Sequence, residues 1–313
     1  YSLYKDPGGD VQKSLQGIFF QAWNSEQIFV RKSNNLPNWD VNSMPRQAGG
    51  WCGVGATQEQ VDAYFMKDGK SIKESSLYSE TGFTDVNGVS VYNMYLNREP
   101  RFYTDITYNN SIFQGGNMKS PAPISFFVSG PNGKNGHPTD WTKTGYLIRK
   151  NVGPQTNAGS GGTGQKQERP IILFRLAEIY LNYAEALNEY SPGNPDIVHY
   201  VNLIRARAGI PMYGEGADAW PVPVSQAEMR ARIRAERRVE LAFECHRWFD
   251  IRRWKIVADV MGDMHGMNIN KEGNDFYKRV VASSHLFRPA YYWFPISQYE
   301  MDRARLMVQN PGW

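Results

Sequence analysis

Cysteine is scarce in this chain of 313 residues: Cys52 and Cys245 stand far apart, without the close spacing of a metal site. Two free and mostly buried thiols are expected rather than a disulfide. Histidine is sparse too. His137, His199, His246, His265 and His285 are scattered, and no H-E-x-x-H occurs, so no metal and no cofactor is expected. No apolar run approaches the length that crosses a bilayer, and no signal peptide begins at Tyr1. The first residue is not Met, and the chain reads as cut from something longer. A net charge of +4 is too small and too dispersed for a nucleic-acid partner. The arginines of 230–253 are interleaved with Glu228, Glu236, Glu240, Glu244 and Asp250, which makes a laced helix rather than a phosphate-binding face. No G-x-S-x-G, Walker loop or dinucleotide fingerprint is present.

What the chain does have is aromatic residues, 13% of the total, with nine Trp and eighteen Tyr. Hydrophobic content of 41% against 21% charged describes a globular protein with a substantial core, one large domain or two. Many of the aromatics lie in Gly-, Asn- and Pro-rich sequence outside predicted helices. There they either pin irregular loops to a scaffold or form an exposed platform for a ligand.

Residues 1–50 read as irregular structure with a strand or two, the best at Glu26–Val30, followed by a long polar loop from Asn34 to Gly50. Thr57–Met66 predicts a short helix capped by Thr57 and stopped at Gly69. Short extended pieces are expected at 106–108 and 146–148, and a mobile surface loop over the Gly-rich tract 153–164. Then the pattern turns helical. Pro170–Tyr190 carries Leu176, Tyr180, Ala184 and Leu187 on one face. Asn194-Pro195 starts a second helix that Gly209 and Pro211 end. Ser225, with Glu228 three residues on, opens a third. No Gly or Pro interrupts it before Trp254, which predicts one long helix with Trp248 and Trp254 in the core. Its carboxylates, Glu240 and Glu244, need cations, and the flanking Arg234, Arg237, Arg238, Arg247, Arg252 and Arg253 are the candidates to supply them.

AERRVELAFECHRWFDIRRWK resembles the signature helix of the SusD/RagB family, outer-membrane nutrient-binding lipoproteins of Bacteroidetes. The family generally has Gly where this chain has Cys245, a small change for a residue that is often buried. TQEQVDAYFMKDG, NREPRFY, TGYLIRK, FRLAEIYLNYAEALNE, VNLIRARAGIP and the closing QNPGW are similar to family motifs in the same order. By this resemblance the sequence is expected to correspond to the C-terminal portion of a family member, after the part that carries a lipidated cysteine and the first helical repeats.

The resemblance implies a mainly α fold: a tetratricopeptide-like alpha-alpha superhelix over 170–313, with a loop-rich segment of short strands over 1–169 presenting the ligand face. It also implies capture of an oligosaccharide or polysaccharide and its delivery to a SusC-like TonB-dependent outer-membrane transporter. The protein would sit at the cell surface, lipid-anchored to the outer membrane. Sugars offer C–H faces to Trp and Tyr, and hydroxyls to Asn, Asp and Arg. The candidate ligand contacts are therefore the loop residues Trp39, Trp51, Tyr78 and Trp141, with Asn38, Asp40 and Arg46. Catalysis is not expected: Glu178, Glu185, Glu240 and Glu244 read as helix-borne ion pairs rather than as a hydrolytic carboxylate pair. The alternatives are a peptide-binding RagB-like protein or a helical glycoside hydrolase.

Overall fold

The structure, a computed structural model, describes residues 1–34, 37–157, 164–165, 167–304 and 306–313. Residues 158–163 of the Gly-rich tract 153–164 lie outside the described residues. Asp10 opens the first helix, α1 (Val11–Phe20), by accepting from the Lys13 N–H, and Leu15, Ile18 and Phe19 are buried along it. This helix falls in sequence expected to be irregular. Strand β1 (Gln27–Asn34) follows where a strand was anticipated. The polar loop after it is not structureless: it contains α2 (Pro37–Ser43) and a 3-10 turn at Arg46–Ala48. Thr57 precedes α3 (Gln58–Val61), a single turn without a side-chain cap bond and shorter than its spacing predicts.

A hairpin of β2 (Phe83–Val86) and β3 (Val89–Tyr92) comes next, then α4 (Pro100–Asp105) with proline at its first turn. The remaining strands of this half are short and pair as two-residue ladders. β4 (Ile106–Thr107) joins β7 (Leu147–Ile148), and β5 (Ile112–Phe113) joins β6 (Ala122–Pro123). Of the extended pieces expected at 106–108 and 146–148, Ile106–Thr107 and Leu147–Ile148 are strands, and they pair with each other.

Arg169–Arg175 is a strand, β8, antiparallel to β1, and α5 starts only at Leu176 (Leu176–Tyr190). The expected helix from Pro170 is therefore corrected. An apolar run such as Ile-Ile-Leu-Phe suits a strand as well as a helix, and the partner that decides, β1, lies far back in the chain. α6 (Pro195–Ala208) has its Asn194 cap and ends at Gly209 with φ +72, the left-handed stop its sequence predicts. It packs with α5 and α7 (Gln226–Glu240) around Ala184, Ile197, Val201, Met229 and Ile233.

The long third helix is interrupted. Ser225 caps α7 as anticipated, its hydroxyl accepting from the Glu228 N–H at 3.1 Å. α7 stops at Glu240, however, and α8 (Arg247–Arg253) is a separate helix. Between them Phe243 (φ +63) and Cys245 (φ +66) are left-handed, which no uninterrupted helix permits. Cys245 is exposed rather than buried, and both cysteines are free. Trp248 leaves the core too, at 42% exposed, while Trp254 is half-buried and donates to Glu185 at 2.6 Å. α9 (Val257–Val260), β9 (Asp263–Met267), α10 (Gly273–Phe276), β10 (Arg279–Ser284) and α11 (Gln298–Arg303) complete the chain, with β9 and β10 paired.

Tyr64, Tyr95, Phe102, Phe126 and Tyr146 are fully buried in one core that also takes in Val239, Phe276 and Tyr277 from the second half. Tyr92 stacks flat on Tyr277 at 3.8 Å. Much of the aromatic surplus therefore holds loops to the helices.

Beneath that core lies a buried ionic frame. Glu240, 2% exposed, accepts from Arg175 at 2.7 Å, from Arg101 at 3.1 Å and from Arg207. Glu244 accepts from Arg175 at 2.6 Å and pairs with Lys150 at 2.8 Å. These cations come from α4, the strand segments and α6, not from the arginines flanking the same helix. The flanking residues face elsewhere, Arg237 to Asp250 and Arg253 to Glu185. Glu185, Glu240 and Glu244 are structural ion-pair partners, as their matched charges suggest. Glu178 differs: it faces His246 at 3.7 Å rather than an arginine.

Candidate functional site

The loop candidates divide by environment. Asp40 is 0% exposed, bonded to Arg169 at 2.6 Å and to Thr156 at 2.6 Å, so its carboxylate is withdrawn from the surface. Trp39 packs on the core and donates its indole N–H to the Lys150 carbonyl at 3.2 Å, stapling its loop. Asn38 is exposed, and its carbonyl accepts from the Asn42 amide at 2.8 Å. Tyr78 leans on the core and donates to Glu80, with the Arg98 guanidinium 5.9 Å from its ring. Burial, with Glu80 beside it, pushes its phenol above the ordinary tyrosine value. Two residues expected at the ligand face, Asp40 and Trp39, thus carry structural bonds, and Tyr78 belongs to a different neighbourhood.

Trp51, Arg46 and Trp141 stand on loops that converge. The 3-10 turn at Arg46–Ala48 is tied to the 125–136 loop, because Asn132 accepts from the Gln47 N–H at 3.0 Å. Ala48 accepts from the Asn117 N–H at 3.1 Å. Gly50 packs so closely on Met44 that an added Cβ would lie 2.2 Å from the Met44 carbonyl oxygen. Trp51 follows, its N–H bonded to Val41 at 2.8 Å and its side chain 36% exposed.

Across from Arg46, its guanidinium 3.9 Å away, is Asp140. His137 Nδ1 accepts from the Asp140 N–H at 3.0 Å and so fixes the turn that presents Asp140 and Trp141. The Trp141 ring is half-buried, with the Lys143 ammonium 3.1 Å and the Lys134 ammonium 5.5 Å from its centre. Burial and the nearby Lys134 charge lower the Lys143 pKa. The Cys52 thiol senses Arg46, Asp140 and Lys143 from beneath, and burial pushes it up to about 12. The arrangement offers indoles, a guanidinium, a carboxylate and ammonium groups on one set of loops. That mixture suits a polyhydroxylated ligand held without covalent chemistry. Lys134 and Lys143 are not singled out by the sequence, and His137 reads there only as one of five scattered histidines. The only trace they left there was their closeness to Trp141.

Among the described residues no group of His, Cys, Asp and Glu could hold a metal, and no helix is long and apolar enough to cross a membrane.

The architecture is that of SusD-like proteins. A solved SusD-like protein from Bacteroides fragilis superposes with a TM-score of 0.78 at 28% identity, covering 99% of this chain and 59% of its own. A second from that species, described as a SusD-like carbohydrate-binding protein, gives 0.68 at 25% identity, covering 92% and 56%. SusD-like protein P2 of Formosa agariphila is 42% identical over 160 residues, 49% of this chain and 28% of the relative. The chain thus spans only part of the length of the proteins it matches. The SusD family model matches residues 17–313, and the chain belongs to that family.

Proposed function

We propose that the protein is the glycan-binding component of a SusCD-type uptake system. It captures oligosaccharide at the cell surface and passes it to a SusC-like TonB-dependent transporter, lipid-anchored to the outer membrane beside it. The observation that carries the reading is that the loop bearing Arg46 and Trp51 meets the loop bearing Asp140 and Trp141 through the Arg46–Asp140 pair, with Trp51 partly exposed. Indole faces stack on sugar C–H surfaces, and the guanidinium and carboxylate meet hydroxyls. Support comes also from family membership and from the solved relative described as carbohydrate-binding. The antiparallel pair α5–α6, with α7 against it, supports a tetratricopeptide-like scaffold over 170–313, with the loops of 1–169 presenting the ligand face. The role is one of binding rather than catalysis, because Glu240 and Glu244 are consumed by arginine and lysine.

A calorimetric screen against neutral and charged oligosaccharides tests this. Trp51→Ala and Trp141→Ala are expected to weaken glycan binding about tenfold or more with the melting temperature nearly unchanged. Trp39→Ala is expected to lower the melting temperature instead. Glycan binding untouched by both loop variants, or peptide binding alone, would overturn the assignment.

A further inference from the structure

Away from these loops, a recess of about 400 Å³ opens where α3, the turn after α7, α8 and the start of β9 meet. Its walls are largely apolar, with Phe243, Trp248, Met261 and Met264 among them, yet two guanidinium groups line it, Arg238 and Arg247. Arg238 is held by neutral acceptors, donating to the Glu59 carbonyl at 2.5 Å and the Gln60 side-chain oxygen at 3.3 Å. The Glu59 carboxylate is engaged elsewhere, accepting from the His265 N–H at 3.0 Å and lying 2.7 Å from His265 Nδ1.

The Arg247 side chain has no salt bridge and no hydrogen bond among the described residues. Burial, and then the like charge of Arg238, bring its pKa down to about 10 against the opposing pull of Asp250. Gln60 lines the same recess, and its side-chain nitrogen is buried without an acceptor. Unmet donors in an apolar recess are costly unless something fills them. Arginine's planar fork fits the two oxygens of a carboxylate or sulfate.

We propose that this recess binds an anionic oxygen group, a carboxylate or sulfate, with Arg247 as the anchor, Gln60 and Arg238 as further donors, and Trp248 as the wall a sugar ring would rest on. It is separate from the loop site and does not depend on it. The group is supplied either by an acidic saccharide or by a free anion.

Titration of the full chain with trigalacturonate, with a neutral trisaccharide and with inorganic sulfate tests the assignment. Trigalacturonate is expected to bind, to weaken as salt is raised, and to lose about tenfold or more in affinity in Arg247→Gln. The melting temperature of Arg247→Gln should hold or rise, because a cation without a salt bridge has been removed. Trp141→Ala should leave this binding unchanged, which separates it from the loop site. Sulfate binding as strongly as trigalacturonate, and lost in the same variant, assigns the free anion as the source. Trigalacturonate binding alone assigns the acidic sugar. Affinity unchanged in Arg247→Gln, a fall in its melting temperature, or no binding of either probe would overturn the proposal.

Discussion

Arg175, the last residue of β8, donates to Glu240, the last residue of α7, across 2.7 Å. The same guanidinium reaches Glu26 at 2.8 Å and Glu244 at 2.6 Å. One cation therefore ties together the approach to β1, the end of α7 and the turn beyond it. Alanine at Glu240 would leave Arg101, Arg175 and Arg207 sharing a buried site without their central counter-charge. The expected cost is about 3–5 kcal/mol in urea unfolding. A loss below about 1 kcal/mol would show that the frame is dispensable.

The same frame predicts how stability depends on acid. Burial works against the Glu244 charge, but Arg175 and Lys150 outweigh it and hold the carboxyl down to about 2, against an ordinary value of 4.5. Glu240 is also held well below the usual range. Burial opposes its charge too, and Arg207, Arg175 and Arg101 prevail. A carboxyl with a depressed folded pKa binds its proton more readily when unfolded. Its stabilisation is complete above about pH 5 and is lost as pH falls toward about 2. The urea midpoint should be level above about pH 5 and decline steadily below it. A midpoint level down to about pH 3 would count against the buried pairs as a source of stability.

Legibility followed the range of the interaction. The ends of α6 were readable because Asn194, Pro195 and Gly209 act on their own backbone. α1 carried comparable signals, Asp10 ahead of Leu15, Ile18 and Phe19, and would have yielded to the same reasoning. β8 was hidden because its identity as a strand depends on β1, more than a hundred residues earlier. The partners of Glu240 were hidden for the same reason. Charge counting favours arginines nearby in sequence, whereas geometry selects Arg101 and Arg175 from other elements. At the candidate site, residue type flagged Trp51, Arg46 and Trp141, but only the folded loops set Asp140 against Arg46. Asp40 and Trp39 had the same residue types as a ligand face and turned out to hold the loops together.

The two thiols should react very differently. Cys52 is buried, and its thiol is raised to about 12, so almost none is ionised at neutral pH. Cys245 is exposed. A disulfide-exchange reagent should therefore titrate one thiol in the native protein and two in urea. Native labelling of Cys52 at the unfolded rate would mean that the loop from Met44 to Gly55 opens readily.

Cys245 also sits at φ +66, in the turn that separates α7 from α8. A side chain there meets the steric penalty of the left-handed region, about 1–2 kcal/mol, which glycine avoids. Glycine in turn loses more backbone entropy on folding, about 0.5–1 kcal/mol. The balance favours Cys245→Gly by about 0.5–1 kcal/mol. It also gives a physical reason for a glycine at this place in the signature sequence. Cys245→Val should move the other way, because a β-branched residue tolerates positive φ poorly. Urea midpoints ordered Gly above Cys above Val are the expected result. If Gly fell below Cys, the turn would owe its shape to contacts of the thiol rather than to backbone geometry.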